Sequence, residues 1–414
     1  MAEPHPNPPA ASAPVPGATV VVGLGKTGLS CLRHLADRGL DLRVMDSRER
    51  PPGLPELERE LPGVPRLLGR LDPAVLAAAA RIVLSPGVAL AEPAVAAAVA
   101  AGVPVTGDID LFAEQARAPV VAITGSNGKS TVTTLAGRLL ADQGWDARVG
   151  GNLGPPALEL LGGSEPDAYV LELSSFQLET TSRLEPAAAT VLNLSPDHLD
   201  RYPDLGAYAR AKQRIYAGRG TMVVNRDDPV VAAMAASAPP GRTVVGFTLG
   251  TPAAGDFGLV DHGGQPWLAR GRQRLVPEAE LRIHGRHNTA NALAALALGA
   301  AMGLELEAMG ETLRGFPGLP HRCRWVGALD GVDWYDDSKG TNVGATVAAI
   351  EGLRCPGRIV LVAGGLAKGA DFGALRAPVA RRARAVVLMG RDGPLLEAAL
   401  AGAAALRRVG GMDE

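Results

Sequence analysis

The residues best placed to do chemistry are Gly125, Ser126, Asn127, Gly128, Lys129, Ser130 and Thr131. They interrupt a β-branched apolar run at 119–123 and lead into a stretch with helical spacing at 132–140. A glycine loop between a strand and a helix start is a phosphate cradle. The glycines let the backbone approach an anion, the first N–H groups of the helix point at it, and Lys129 carries a charge to a terminal phosphate. Ser130 or Thr131 can then hold a magnesium ion. The strict P-loop spacing places glycine where Ile123 stands, so this loop is a shortened variant. A plain βα turn with a solvated lysine is disfavoured by the order strand, loop, Lys-Ser-Thr, helix.

Two strand ends should share the edge of this loop. Glu172 closes the run 168–173, and His198 lies just past the run 188–193. An acid beside a phosphate loop commonly serves a magnesium ion, and its ordinary alternative is a salt-bridged carboxylate. A lone loop histidine is more often a cap or a surface residue. Lys212 falls inside the apolar stripe of Leu205, Tyr208, Ile215 and Tyr216 on an expected helix at 204–217. A lysine there either snorkels or, desolvated, loses its proton and becomes open to modification. Asn288 and Asn291 share one side of a helix start and could read an adenine edge, although N-capping explains Asn288 equally well.

These groups need a frame, and the pattern supplies an α/β one in three domains. From Ala18 the order is strand, Gly23-Leu-Gly-Lys-Thr-Gly28, helix, strand and Asp46, a dinucleotide-type βαβ unit. Gly23 permits the turn, Gly25 lets a diphosphate approach, Gly28 lets helix and strand pack, and Asp46 can accept from a ribose or base. A tight turn and a helix cap are the plainer readings. A further strand at 81–84 ends in Ser85-Pro-Gly87, at the edge where such sheets bind ligands or simply turn. The second unit alternates strands with helices in a mostly parallel sheet, with a β-meander expected within 250–271. The third begins near Phe316, passes Arg322, and has strands at 332–335, 358–362 and 385–388, the first two ending in ligand-type loops. The expected boundaries are a disordered tail at 1–17, a Rossmann-like domain at 18–108, a central P-loop-type ATPase at 109–315, and a Rossmann-like domain at 316–414.

With 414 residues and a net charge of −2, nothing suggests a nucleic-acid footprint or a polybasic membrane surface. Cys31, Cys323 and Cys355 are odd in number and lack metal-ligand spacing, which fits a reducing cytoplasm. The Pro/Ala-rich start has no basic segment followed by an apolar core, so no signal peptide is read there. Small-molecule partners and a monomer are expected.

Taken together, the chain resembles the Mur ligase family, in particular its D-glutamate-adding branch. The resemblance runs from about Ala18 to the end. It is carried by the 125–131 loop, Gly151-Asn-Leu-Gly154, Leu171-Glu-Leu-Ser-Ser-Phe-Gln-Leu-Glu179, Asp197-His-Leu-Asp-Arg-Tyr202, Ala211-Lys-Gln-Arg-Ile-Tyr216, His287-Asn-Thr-Ala-Asn-Ala292, Leu319-Pro-His-Arg322 and Asp337-Ser-Lys-Gly-Thr-Asn342.

The resemblance implies an ATP-dependent amide-bond ligase that adds D-glutamate to UDP-N-acetylmuramoyl-L-alanine through an acyl phosphate. Lys129 and the loop amides would hold the ATP phosphates. Ser130, Glu172, His198 and a carbamylated Lys212 would hold two magnesium ions. Asn288, Asn291, Arg322, Asp337 and Lys339 would complete the nucleotide site. Thr27, Asp46, Ser47, Ser85, Gly87 and Asn152 would surround the UDP-substrate, and Thr341 and Lys368 the glutamate. The family pattern continues past Glu414 with a helix, a strand and a serine-containing loop, so the third domain is expected to be incomplete. A related ligase using L-glutamate, and a folylpolyglutamate-synthase-like activity, are the nearest alternatives. A dehydrogenase would leave the second phosphate loop unexplained, and a regulatory ATP-binding protein would not release phosphate in response to both substrates.

Overall fold

The structure, a computed structural model, describes residues 17–198, 200–353, 355–366 and 369–414. The expected disordered tail, save Gly17, and the expected glutamate-site residue Lys368 lie outside the described residues.

Strands β1 (Thr19–Val22), β2 (Leu42–Asp46), β3 (Arg66–Leu68), β4 (Arg81–Leu84) and β5 (Val105–Thr106) form an all-parallel sheet in the order β3-β2-β1-β4-β5. Chain direction through the order reverses between β1 and β4. The glycine loop after β1 and Ser85 after β4 therefore meet at the switch point, where such sheets open a ligand crevice.

The central sheet contains β6 (Val120–Thr124), β7 (Ala147–Gly151), β8 (Ala168–Glu172), β9 (Ala188–Val191), β10 (Thr221–Asn225), β11 (Val244–Phe247), β12 (Phe257–His262), β13 (Gln265–Arg270) and β14 (Gln273–Pro277). Its order is β14-β13-β12-β11-β10-β9-β6-β8-β7, and the last three strands in sequence form the antiparallel meander. Strand periodicity sends Val121 and Ile123 into one core and Val120 and Ala122 into another. Both faces are thus covered, as a parallel sheet requires. One cover is the helix Arg286–Ala301, which is apolar all round over Ala292–Leu298 and fully buried there.

The first two units share a core. Leu32 and Leu35 of the helix Lys26–Ala36 belong to the same apolar cluster as Phe112, Leu158 and Tyr169, and the Phe112 and Tyr169 rings meet edge-on at 4.9 Å. The helix Asp108–Ala113 bridges the units. Its Asp110 accepts from Ser182 N (2.8 Å), Ser182 Oγ (2.7 Å) and Arg183 N (2.9 Å). A common apolar core thus joins these two units.

The third unit differs. Strands β15 (Arg324–Leu329) and β16 (Val332–Asp336) form an antiparallel hairpin, and β17 (Ile359–Gly364), β18 (Ala383–Met389) and β19 (Ala405–Arg408) form a separate parallel sheet in that order. The strand at Val332 runs, as expected of a βα unit, through the 337–342 loop into the helix Val343–Gly352. It also pairs antiparallel with β15, because Asp330 and Gly331 both take positive φ (50° and 78°), the geometry of a two-residue hairpin turn. The core of this unit, around Ile350, Leu375, Val379, Val386 and Leu388, is its own. It meets the central unit where the helix Val343–Gly352 packs against the helix Arg286–Ala301, where the Tyr335 ring lies edge-on to His284 at 6.2 Å, and through polar side chains at the phosphate loop. No helix among the described residues is long and apolar enough to cross a membrane.

Candidate active site

β6 delivers Thr124 to the sheet edge, and the chain turns through Gly125–Gly128 into the helix Lys129–Asp142. Gly128 caps this helix with φ +84°, a left-handed conformation that costs other residues about 1–2 kcal/mol. A Cβ there would lie 2.3 Å from Asn291 Oδ1, so the second asparagine of the helix Arg286–Ala301 sits directly on the loop. Gly128→Ala should therefore destabilise the fold by about 2–4 kcal/mol through backbone strain plus overpacking, and should weaken binding of an ATP analogue. Urea unfolding and calorimetric titration measure both. Unchanged values would mean the loop and Asn291 separate freely.

Two lysines converge on one carbonyl. Lys129 Nζ donates to Gly125 O (2.8 Å) and Ser126 O (3.0 Å). Lys212 Nζ donates to the same Gly125 O (2.9 Å) and to Thr124 Oγ1 (3.1 Å). The helix carrying Lys212, Leu205–Gln213, is capped by Asp204, which accepts from Ala207 N, and it continues as a short 3-10 turn at Arg214–Tyr216. Lys212 does not snorkel: it is 1 % exposed, with Nζ 4.7 Å from the centre of the Tyr208 ring one turn earlier. Burial, and then the charge of Lys129, hold its amine well below the ordinary lysine value. Burial also lowers Lys129, against the pull of Glu172 and Asp197.

Glu172 ends β8, one strand from the loop, and is 3 % exposed. Its Oε1 accepts from Asn152 Nδ2 at 2.6 Å, while its buried Oε2 has no hydrogen-bond partner. A buried carboxylate oxygen without a donor is the group a cation would satisfy. Ser130, in the first turn of the loop helix, accepts from Arg322 Nη2 of the third unit at 2.8 Å. These residues fit a magnesium ion, which takes one or two carboxylates and otherwise water and phosphate oxygens. Among the described residues no three His, Cys, Asp or Glu side chains form a ready-made cage. His198 has φ +55°. Its ring lies edge-on to Phe176 at 4.7 Å, with Nε2 3.8 Å from Asp197 Oδ2.

The rest of the loop is held from several directions. Ser126 Oγ donates to Ser195 O (3.1 Å) and accepts from Ser195 N (3.0 Å). Asn127 N donates to Asn193 Oδ1 at 2.8 Å. Thr131 is buried beneath the loop. Asn342 Nδ2 donates to Asn127 Oδ1 at 3.0 Å while Asn342 Oδ1 caps the helix Val343–Gly352, so the third unit docks a helix start on the phosphate loop. Asn288 is not the cap of its own helix, a place held by Gly285; its Nδ2 donates to His284 O (2.8 Å) and its Oδ1 accepts from Asn291 Nδ2 (3.1 Å). Asp337 accepts from Cys323 N at 2.9 Å, and burial raises its carboxyl. Lys339 and Thr341 are exposed on the rim.

In the first unit Asp46 is 2 % exposed and accepts from Leu24 N (2.7 Å), Arg48 N (2.9 Å), Arg48 Nε (2.8 Å) and Arg48 Nη2 (2.7 Å). Burial opposes its ionisation, but the bonds from Arg48 and Leu24 bring its carboxyl below the ordinary range. Asp46 thus ties the glycine loop to the end of β2, and Arg48 rises beside it. Ser85 Oγ donates to Gly23 O at 2.7 Å, closing the switch point. Thr27, half-buried, lies in the first turn of the helix Lys26–Ala36 that follows the β1 loop, and Ser47 and Gly87, both exposed, lie in the loops that leave β2 and β4 at the same sheet edge. Arg48, Asn193, Tyr208 and Asn342 were given no site role from sequence, although Tyr208 stood in the apolar stripe around Lys212 and Asn342 closed the Asp337–Asn342 motif.

Three family models match the chain in order: the Mur ligase MurD-like N-terminal domain over residues 17–107, the Mur ligase middle domain over 123–299, and the Mur ligase glutamate ligase domain over 321–413. A Nitrosococcus oceani protein named UDP-N-acetylmuramoylalanine--D-glutamate ligase is 57% identical over 400 residues, covering 97% of this chain and 88% of that protein. A Pseudomonas aeruginosa protein of the same name is 52% identical over 95% of this chain and 88% of its own length. Among solved structures, MurF from Acinetobacter baumannii aligns with a TM-score of 0.62 at 19% identity, over 95% of this chain and 82% of that one. MurC from Thermotoga maritima aligns with a TM-score of 0.57 at 19% identity, over 95% and 90%. The structural likenesses speak for the fold and the sequence matches for the lineage: the chain belongs to the Mur ligase family.

Proposed function

We propose that this chain is the ATP-dependent ligase that joins D-glutamate to UDP-N-acetylmuramoyl-L-alanine, acting in the cytoplasm as a monomer on small-molecule substrates. The observation that carries the reading is the meeting of Lys129, Lys212 and the donor-less Glu172 Oε2 around one phosphate loop. The choice of D-glutamate is supported by the names of relatives that are 52–57% identical.

A carboxylate does not condense with an amine in water because it lacks a leaving group. An oxygen of the alanyl carboxylate attacks the γ-phosphorus of ATP and ADP departs. The glutamate amine then attacks the acyl carbon, inorganic phosphate leaves, and the amine proton goes to solvent. Lys129 and the loop amides stabilise negative charge on the transferring phosphoryl group. Arg322, Asp337, Lys339 and the two asparagines, Asn288 and Asn291, enclose the nucleotide. Thr27, Asp46, Ser47, Ser85, Gly87 and Asn152 receive the UDP-substrate, and Thr341 with Lys368 the glutamate. Ser130, Glu172, His198 and a carbamylated Lys212 would hold two magnesium ions, which neutralise phosphate charge. Closure of the third unit through Arg322 and Asn342 keeps water from the acyl phosphate.

Phosphate release from ATP tests the reading. With UDP-N-acetylmuramoyl-L-alanine present, D-glutamate should stimulate release at least tenfold over L-glutamate or over no amino acid. Equal stimulation by L-glutamate, or none by either, rejects it.

A further inference from the structure

One side chain ties the sugar-nucleotide edge of the first unit to the phosphoryl edge of the second, and the ligase chemistry above assigns it no part. Arg201 Nη1 donates to Pro86 O (3.0 Å) and Nη2 to Val88 O (3.2 Å), both in the loop that leaves β4 with Ser85. The same guanidinium pairs with Glu179 through Nε (3.2 Å) and Nη2. It lies 4.4 Å above the centre of the Phe176 ring, whose edge meets the His198 imidazole. Arginine and glutamate side chains are only 12% and 14% exposed.

Four hydrogen bonds and a stacked ring are far more than an arginine needs for charge balance. A planar fork with donors on three nitrogens reaches two carbonyls and a carboxylate together, which a lysine cannot do. The two carbonyls belong to backbone of the first unit, and the carboxylate and ring to the second. A Glu179 charge this buried is tolerated because Arg201 neutralises it, and Arg201 is held in plane because Glu179 and Phe176 fix both its edge and its face.

We propose that Arg201 is a positioning residue. It sets the distance between the 85–88 loop and the His198 side of the phosphate site, so that a substrate anchored by its nucleotide end on the first unit presents its carboxyl end to the γ-phosphate. This rests on the ligase reading for its consequence, but the tie itself is independent of it. A rigid link matters because displacements of about 1 Å cost reaction rate steeply while scarcely altering the binding of either partner.

The test uses the full chain with Arg201→Lys and Glu179→Gln, and with Arg201→Met, which keeps the packing on Phe176. The expected result is a kcat at least tenfold lower in Arg201→Lys, with the affinity for a non-hydrolysable ATP analogue within twofold of wild type. Amides of Gly87–Ala89 should exchange faster with solvent, and those of Val120–Thr124 should not. Rate and ATP affinity falling together with the unfolding midpoint would reduce Arg201 to a structural role and overturn the proposal, as would Arg201→Lys turning over within twofold of wild type. Should wild type itself show no glutamate-dependent turnover, the ligase reading fails separately. The tie is then judged on exchange, where unchanged Gly87–Ala89 protection rejects it.

Discussion

Lys129→Ala should fold, bind the UDP-substrate as tightly as wild type and release phosphate roughly 10²–10³-fold more slowly, a loss of about 3–4 kcal/mol in the transition state. The fold survives because Lys129 is the first residue of its helix, and alanine is a good helix former. The UDP-substrate survives because its expected contacts, Asp46 and Ser85, are fixed within another sheet by Leu24, Arg48 and Gly23. What disappears is the ammonium that bridges Gly125 O and Ser126 O and stands where phosphate charge would collect. Removing it also lifts a like charge from Lys212, whose amine should then protonate more readily. Rapid-quench phosphate release and calorimetric titration of the UDP-substrate separate these effects. Turnover within fivefold of wild type, or a parallel loss of UDP-substrate affinity, would show that the loop lysine is not the phosphoryl-stabilising group.

Where the chain repeats a strand, a glycine loop and a helix, the sequence already dictates where ligands go, because open parallel sheets expose loops only at their strand ends. The first sheet and the phosphate loop were legible for that reason. Lys212 was legible for another: a charge inside an apolar stripe is costly, so its position on one helix face singled it out, and the structure decides for burial over snorkelling. Other features left no local trace. Strands β3, β7 and β19 are short or glycine-containing, and tertiary pairing rather than propensity makes them strands. The Asp330-Gly331 turn was a readable hairpin signal for β15, a strand the sequence reading did not place before the βα unit at 332–352. The Asn127–Asn342 contact joins residues 215 apart in sequence, and no periodicity could announce it.

The first two units and the third are built differently. The first two units share an apolar core, and Arg201 adds a polar tie at its edge, so the sugar and phosphate sites keep a fixed separation. The third unit reaches the loop through the Arg322–Ser130 and Asn342–Asn127 hydrogen bonds, while its helix Val343–Gly352 packs against the helix Arg286–Ala301. On the proposed ligase reading, opening that contact would admit nucleotide and amino acid, and closing it would complete the site.

Lys212 carries the largest chemical consequence. Its amine is enclosed by Thr124 Oγ1, Gly125 O and the Tyr208 ring, with Lys129 nearby, so a neutral amine can spend its two hydrogens on the two oxygens and keep a free lone pair. Attack of that lone pair on carbon dioxide, with loss of one amine proton to solvent, gives a carbamate: a cation site becomes an anionic oxygen ligand. Lys212→Ala should accordingly be folded and without measurable turnover, with partial recovery on adding acetate or propionate. Lys212→Met should be equally inactive and, in carbonate-free buffer, more stable than wild type at neutral pH. The sign follows from the lowered amine. Between its folded-state value and the ordinary 10.5, the unfolded chain holds a proton that the folded chain lacks. Wild type therefore loses up to about 1.4 kcal/mol for each pH unit descended through that window and nothing further below it. The methionine variant has no such slope, so its advantage should grow as pH falls from 10 toward the folded-state value. Urea midpoints across pH 7–10 read the stability, and 13C-bicarbonate NMR reads the carbamate. Full turnover in the alanine variant, or identical pH slopes together with no 13C signal in wild type, would leave Lys212 as an ordinary buried base with no part in the reaction.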